Sequence, residues 1–240
     1  MKLIKTFIAV VLLAITGGAS AKAILSNETE DRHLSGFKAV NVAGSYDVYI
    51  TQGAVESVKV EASADVIGYI TTEVNNGVLK IYNKDHFNLN KFKILGKSTH
   101  ATIYISVKDI NSIELTGSGN VYFKEGLTAN NLKLHLTGSG NVTGKLDAKT
   151  LESSITGSGD IKISGHADNS KVSVTGSGDY SARGLTTTNT VAHVGGSGNA
   201  DVNASESLEA SVTGSGDVHY GGNPKNVSKS KTGSGDISKL

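Results

Sequence analysis

The sequence contains no cysteine and no tryptophan, and its 240 residues include a single proline and a single methionine. Without cysteine the chain has no disulfide framework and no cysteine to carry a lipid after a signal peptide. Secreted animal modules of low hydrophobicity usually depend on disulfides, so a bacterial envelope protein fits better. The lack of tryptophan also leaves few aromatic platforms for recognising sugars.

Neither sign of charge is in excess. The chain has 23 basic and 22 acidic residues, and loss of Lys2 and Lys5 with a signal peptide would change the net charge from +1 to −1. Such a balance provides no overall attraction to nucleic acid. No later segment approaches the ~20 apolar residues of a transmembrane helix. We therefore predict no nucleic-acid partner and no transmembrane segment in the mature chain.

The amino terminus has the layout of a secretory signal peptide. Lys2 and Lys5 precede an apolar run over 6–15, which is followed by small residues ending at Ala21. We predict a signal peptide over 1–21 and a lead-in over 22–35. The expected location is the periplasm, the outer surface or the medium of a Gram-negative bacterium.

Glycine is abundant, with 29 residues, and much of it belongs to a repeat. The tract Gly-Ser-Gly-Asn/Asp occurs seven times, nearly always after threonine, at steps of 21, 19, 19, 20, 18 and 19 residues. A period this constant indicates stacked structural units. The predicted turn glycines are Gly117, Gly119, Gly138, Gly140, Gly157, Gly159, Gly176, Gly178, Gly196, Gly198, Gly214, Gly216, Gly233 and Gly235.

Apolar residues alternate with polar ones on both sides of each repeat. Counting from the first glycine as zero, positions −4, −2, +4 and +6 are mostly apolar and often β-branched. This period of two predicts short strands with those positions inside. Both glycines share the inward parity, whereas Thr at −1, Ser at +1 and Asn/Asp at +3 face outward. Glycine is expected where the wall turns sharply or backbone approaches backbone.

These patterns predict an all-β fold, a right-handed single-stranded parallel β-helix with coils of ~19 residues and roughly ten coils. Residues 36–111 are expected to form irregular coils and 112–220 regular ones. Residues 221–240 are expected to cap the end, because Lys229 and Lys231 replace core residues and Pro224 precedes them. Gly44-Ser45-Tyr46-Asp47 is interpreted as a degenerate coil, and Asn76-Gly77 as a hairpin or tight turn.

The sequence is also similar to a known family. The segments 37–53, "FKAVNVAGSYDVYITQG", and 76–81, "NGVLKI", followed by the serial repeats, resemble the head GIN domain of putative autotransporter adhesins over 36–240. That family is exported by Gram-negative bacteria, and the resemblance implies a right-handed β-helix with no established biochemical activity.

The outward Asn/Asp column is the sharpest candidate for chemistry. Adjacent coils would bring Asp160 and Asp179 to about 5 Å, the separation of the two carboxylates in a retaining glycosidase. The equivalent position also holds asparagine, which favours capping of the turn over catalysis. The residues proposed to contact a ligand are Asp160, Asp179, Asn199 and Asp217.

Other candidates are weaker. The seven histidines lack the spacing of metal ligands and are interpreted as surface residues, so we predict no metal and no cofactor. The segment from Lys84 to His100 is either a basic, aromatic protrusion that binds an anionic glycan or an ordinary coil with solvated lysines. Tyr180 and Tyr220 are predicted to face inward.

The function predicted from the sequence is that of a non-enzymatic exported binding or scaffold protein, an adhesin with a cell-surface glycan or protein as partner. Two alternatives stay open: a carbohydrate-active enzyme that uses the Asp column, and a purely structural or signalling-associated envelope component. The sequence does not determine the oligomeric state.

Overall fold

The computed structural model of the chain describes residues 27–84 and 100–240. The predicted signal peptide over 1–21 lies outside these residues, and so does most of the basic segment between Lys84 and His100. The described elements are β1 Asn27–Asp31, β2 Ala39–Gly44, β3 Asp47–Gln52, β4 Ser57–Ser63, α1 Ala64–Ile67, β5 Ile70–Asn75, β6 Val78–Asn83, β7 Ala101–Val107, β8 Ser112–Gly117, β9 Asn120–Gly138, β10 Asn141–Gly157, β11 Asp160–Gly176, β12 Tyr180–Gly196, β13 Ala200–Gly214, β14 Val218–Gly222, β15 Asn226–Gly233 and β16 Ile237–Lys239.

Each long strand from β9 to β13 forms one coil and lies parallel to the next. Val142 of β10 pairs with Val121 of β9 and with Ile161 of β11, and Gly157 pairs with Gly138 and Gly176 one coil away on either side. The same residue types therefore recur in register along the stack. The predicted parallel β-solenoid is confirmed, and it has about seven turns.

The prediction of roughly ten coils is wrong because the amino-terminal half does not wind throughout. β2 lies between β6 and β8, and β3 lies between β7 and β9, all parallel. β4 instead joins β1 and β7 in antiparallel pairs, and β5 forms an antiparallel hairpin with β6. β1, β4 and β5, which form only antiparallel pairs, add no turns to the stack. Asn76 and Gly77, at φ 50° and 76°, form the predicted tight turn of that hairpin.

The core is a set of columns that run along the stack. The buried residues two positions before the repeat are Leu115, Leu136, Ile155, Val174, Val194 and Val212, and those four positions after its first glycine are Val121, Val142, Ile161, Tyr180, Ala200 and Val218. Tyr180 and Tyr220 are buried, as predicted. Because neighbours within a column belong to different coils, this apolar contact holds the coils together.

The repeat forms a corner where successive coils stack closely. The opening glycines have φ values between +117° and +128°, a region that L-residues rarely adopt. The second glycine is buried in all seven copies. A Cβ on Gly178 would overlap the carbonyl oxygen of Gly159 directly beneath it. The corner therefore has space for backbone alone.

The first copy of this corner departs from the repeat. Gly44 pairs with Gly117 and Asp47 with Asn120, so Gly44-Ser45-Tyr46-Asp47 is the degenerate coil that the sequence predicted. Tyr46 takes the place of the second glycine and is buried there. Burial raises its pKa to about 12. Among the residues that the structure describes, Tyr46 begins the column of corners.

At the carboxyl-terminal end, β15 pairs with β13 and is exposed along its whole length. Lys229 and Lys231 align with Ala210 and Val212 of β13. The Lys229 ammonium donates to the carbonyl oxygen of Ile237 at 2.9 Å and lies 4.7 Å from the centre of the Tyr220 ring. Such contacts fit the proposed cap, because they place charge where another strand would otherwise pair.

Candidate binding surface

The Asn/Asp column forms a ladder of hydrogen bonds between coils. The backbone N–H of Asp179 donates to Oδ1 of Asp160 at 2.9 Å, that of Asn199 to Oδ1 of Asp179 at 2.9 Å, and that of Asp217 to Oδ1 of Asn199 at 3.1 Å. The N–H of Asp236 continues the ladder by donating to Asp217 at 2.7 Å. In each step a side-chain oxygen accepts from the backbone of the following coil.

This ladder explains why both amide and acid occur in the column. An Asn or an Asp side chain offers an acceptor oxygen of the same reach, and Asn199 also donates its Nδ2 to Asp179 at 3.0 Å. The four residues predicted to contact a ligand are thus brought together, and they bind one another. Among residues 27–84 and 100–240, no group of three or more histidine or acidic side chains could hold a metal ion.

His33, His166 and His193 lie on the surface in different settings. His33 is 87% exposed beside Asp31, and His166 lies 3.3 Å from Asp168. Nδ1 of His193 lies 2.8 Å from the Ser211 hydroxyl in the coil above it. These contacts are local and involve exposed side chains, so they form no common centre.

A different surface brings chemically distinctive side chains together. We call this surface the front wall. It is the outward side of the strand series β1-β4-β7-β3-β9-β10-β11-β12-β13-β14-β16. From each of the long strands β9 to β13, only the residues that follow the corner belong to it. One row across this wall is in register and contains Tyr104, Tyr49, Tyr122, Thr143 and Lys162. At the corner the same residue types recur, whereas in this row the residue type changes from coil to coil.

The first part of the row is a tyrosine ladder. The ring of Tyr49 stacks between those of Tyr104 and Tyr122, with centroids 5.6 Å and 5.0 Å away and interplanar angles of 20° and 24°. Tyr104 is 43% exposed and Tyr49 37%. Because the rings cover each other's faces, the ladder presents its edges and hydroxyl groups to a partner.

Charged neighbours surround the tyrosine ladder. The Tyr104 hydroxyl donates to Glu61 at 3.4 Å, and the Lys124 ammonium lies 5.4 Å from the centre of the Tyr122 ring. Partial desolvation, with a smaller contribution from Glu61, raises the pKa of Tyr104. Desolvation also raises the pKa of Tyr122, assisted by Asp47. Both phenols therefore stay protonated at neutral pH, and the O–H of Tyr104 is already donated to Glu61.

The tyrosine ladder continues into a basic groove of about 680 Å³. Four cationic side chains line it, Lys124, Lys145, Lys162 and Arg183, against one carboxylate, Asp201. Nε of Arg183 donates to Oδ2 of Asp201 at 2.9 Å. The three lysines lack such a partner among the residues that the structure describes.

His219 lies beside the end of the groove. Its Nδ1 is 3.1 Å from Oδ1 of Asp201, so that carboxylate contacts His219 through one oxygen and Arg183 through the other. The acid at this end of the groove is consequently already engaged with two basic side chains, while the opposite end opens onto Lys124 and Tyr122.

Sequence reasoning missed the front wall because its members are brought together by topology. A pattern was present: the segments 47–50, 102–105 and 120–123 each place a tyrosine between two inward apolar residues. β3 and β7 are distant in the chain, however, and become neighbours only through the crossover. The absence of tryptophan had suggested few aromatic platforms, whereas stacking of tyrosines produces one.

A family model described as "Putative auto-transporter adhesin, head GIN domain" matches residues 36–224. The chain belongs to this family. The resemblance found in the opening strand and the repeats is thereby confirmed. No curated protein gives a match to the chain.

Solved structures from Bacteroidota share the fold of this head GIN domain. A putative adhesin from Bacteroides fragilis is 27% identical with a TM-score of 0.83, and the match covers 90% of this chain and 97% of that one. A putative lipid binding protein from Parabacteroides distasonis is 26% identical with a TM-score of 0.70, over 89% and 96% of the two chains. A putative adhesin from the same species is 25% identical with a TM-score of 0.69, over 90% and 97%.

Across the described ranges, no helix has the length and apolar character needed to cross a bilayer.

Proposed function

We propose that this head GIN domain is a non-enzymatic exported adhesin that binds a cell-surface partner through its front wall. Export is supported by the signal-peptide layout at the amino terminus and by membership of a family described as auto-transporter adhesins. The proposed location is the periplasm, the outer surface or the medium. The partner is a glycan or a protein.

The observation that carries the proposal is the contrast in hydrogen bonding and charge between the front wall and the corner. The Asn/Asp side chains of the corner are bonded from coil to coil, whereas the tyrosine ladder presents edges and hydroxyls and three lysines of the groove have no carboxylate partner among the described residues. Tyrosine supplies large, rigid contact area together with a polar group, which is why binding surfaces are rich in it. Exposed charge without an internal partner is available to an external one.

The rival enzyme has less support. It requires Asp160 and Asp179 to act on a substrate, and Oδ1 of each accepts a backbone hydrogen bond from the next coil. The name of the P. distasonis lipid binding protein suggests another ligand class. Val55, Val191 and Val227 are large exposed hydrophobic side chains, yet they lie away from the groove. Neither alternative accounts for the tyrosine ladder.

Binding of purified protein to intact bacterial and epithelial cells tests the proposal. The variant Tyr49→Thr/Tyr104→Thr removes two rings of the tyrosine ladder while keeping residues that favour strands. We expect its bound fraction to fall at least about fivefold, in line with the loss of central aromatic contacts. Tyr69→Thr is the matched control, because Tyr69 is 42% exposed and lies outside the front wall.

If the wild type, the double variant and an unrelated β-helix bind to cells equally, the adhesin proposal is wrong. The enzyme rival is tested separately with Asp160→Asn/Asp179→Asn and a panel of polysaccharide substrates. Our proposal expects no turnover by either protein and unchanged cell binding. Turnover by the wild type that this variant abolishes would establish the rival instead.

A further inference from the structure

The cationic side chains of the basic groove follow one another along the stack of coils. Lys124 and Lys145 lie seven residues after the opening glycines of successive coils, and Arg183 lies two coils further on, next to Gly184, which pairs with Ser164. Lys162 lies in the coil between Lys145 and Arg183, in the neighbouring row. Since coils stack at ~4.8 Å, the four cations extend over roughly 14 Å along the stack. A ligand that contacts all of them must be extended in the same direction.

The charges are arranged for an external anion. The ammonium groups of Lys145 and Lys162 have neither a hydrogen bond nor an ion pair with any residue that the structure describes, and that of Lys124 faces an aromatic ring. The single acid, Asp201, is engaged by Arg183 and His219. Three lysines held on strands of adjacent coils repel one another, and an anionic ligand would relieve that repulsion.

The shape of the groove favours a chain over a membrane surface. Its lining contains no large exposed hydrophobic side chain that could insert among acyl chains. It runs along the wall and ends at Lys124, whose ammonium lies 5.4 Å from the centre of the Tyr122 ring. The tyrosine ladder therefore adjoins the groove and offers hydroxyl groups for hydrogen bonds with uncharged hydroxyls. A polymer with repeated anionic groups and intervening hydroxyls matches both the lysines of the groove and the tyrosine ladder.

We propose that the groove binds an anionic polysaccharide, with sulfate or carboxylate groups on Lys124, Lys145 and Lys162 and the adjoining sugar hydroxyls on the tyrosine ladder. This inference rests on the proposed adhesin function and specifies its ligand class. Lysine acts here as a point charge, so the groove selects for charge spacing more than for the geometry of one anion.

Dextran sulfate and neutral dextran are suitable probes, because they share a backbone and differ in charge. Titration calorimetry would compare the wild type with Lys124→Gln/Lys145→Gln/Lys162→Gln and with the control Lys133→Gln/Lys149→Gln/Lys171→Gln. Both triple variants change the net charge equally, and the control lysines lie outside the groove. A third arm uses phosphatidylcholine vesicles containing phosphatidylglycerol.

We expect the wild type to bind dextran sulfate and not dextran. The groove variant should bind at least about tenfold more weakly, the control should change less than about twofold, and added salt should weaken binding by screening. Equal losses in both triple variants would overturn the inference, because binding would then reflect net charge alone. Groove-dependent binding to the vesicles without binding to dextran sulfate would overturn it in favour of a lipid surface.

The two proposals fail in different ways. If dextran sulfate does not bind while the tyrosine variant still loses cell binding, the adhesin function stands and the polysaccharide assignment is wrong. If dextran sulfate binds through the groove while cell binding is the same for the wild type, the tyrosine double variant and the groove triple variant, the groove is a polyanion site and the adhesin function is wrong. Melting temperatures of all variants establish that each is folded.

Discussion

The corner and the front wall are both outer surfaces that extend along the stack, yet they are built in opposite ways. At the corner the same four residue types recur in nearly every coil, and the side-chain oxygens of the Asn/Asp column accept hydrogen bonds from the next coil. On the front wall the sequence changes from tyrosine to lysine to aspartate as the coils succeed one another. Repetition identifies the residues that hold coils together, and departure from it identifies those left free to bind.

The largest loss of stability is expected when one carbon atom is added at the corner. Gly178→Ala places a Cβ against the carbonyl oxygen of Gly159 and about 3.0 Å from Cγ2 of Ile155. Since backbone must move to relieve the overlap, we expect a loss of at least about 3 kcal/mol in the free energy of unfolding. Urea unfolding followed by circular dichroism measures it.

Gly68→Ala is the matched control. Gly68 has φ −70° and nothing within 4 Å of an added Cβ, so alanine should leave stability unchanged or raise it by about 0.5 kcal/mol. If Gly178→Ala is as stable as Gly68→Ala, the corner is not a site of close backbone packing.

The inner side of the front wall provides a second contrast, because Tyr180 faces the core while the next residues of β12 line the groove. Burial raises the pKa of Tyr180 from 10.0 to about 12. A pKa raised by folding contributes stability that is complete below the unfolded pKa and is lost as pH rises through the folded one. The wild type should therefore lose about 2 kcal/mol more than Tyr180→Phe between pH 10 and pH 12.

Urea unfolding of both proteins at pH 8, 10, 11 and 12 gives this difference directly. Tyr46, whose pKa is also raised, is present in both proteins, so its contribution cancels. Parallel stability curves for the wild type and Tyr180→Phe would mean that water reaches the Tyr180 phenol.

A smaller effect is expected in the hydrogen-bonded ladder of the corner. Asp179→Ala removes the acceptor of two hydrogen bonds from Asn199 and should cost about 1–2 kcal/mol in unfolding free energy. Asp179→Asn keeps an acceptor oxygen and should stay within about 0.5 kcal/mol of the wild type. Equal destabilisation by both changes would show that the negative charge matters, contrary to the structural role assigned to the column.

The smallest effect belongs to the front wall. Lys145→Gln removes an exposed charge without a partner in the described structure, so its unfolding free energy should change by less than about 0.5 kcal/mol. A fall larger than that for Asp179→Ala would reverse the comparison and make the groove lysines structural.

The fold could be predicted from the sequence because its rules are local. A constant step between glycines and a period of two in apolar residues indicated parallel coils, and Asn76-Gly77 indicated a hairpin. The number of coils could not be predicted, because antiparallel pairing of β4 and β5 leaves no regular spacing. The tyrosine ladder was missed for a related reason, since Tyr49 and Tyr104 meet only when β3 and β7 pair. The Asn/Asp column was interpreted from the sequence as a feature of the turn, and its bonding partners became clear only in the structure.

Acetylation footprinting of the lysines tests the central claim most directly. Protein is labelled with an amine-reactive reagent, alone and bound to cells or to dextran sulfate, and the modified lysines are quantified by mass spectrometry. We predict that Lys124, Lys145 and Lys162 are protected in the bound state, whereas Lys133, Lys149 and Lys171 react as in the free protein. Protection of the second set, or equal protection of both, would contradict the assignment of binding to the front wall.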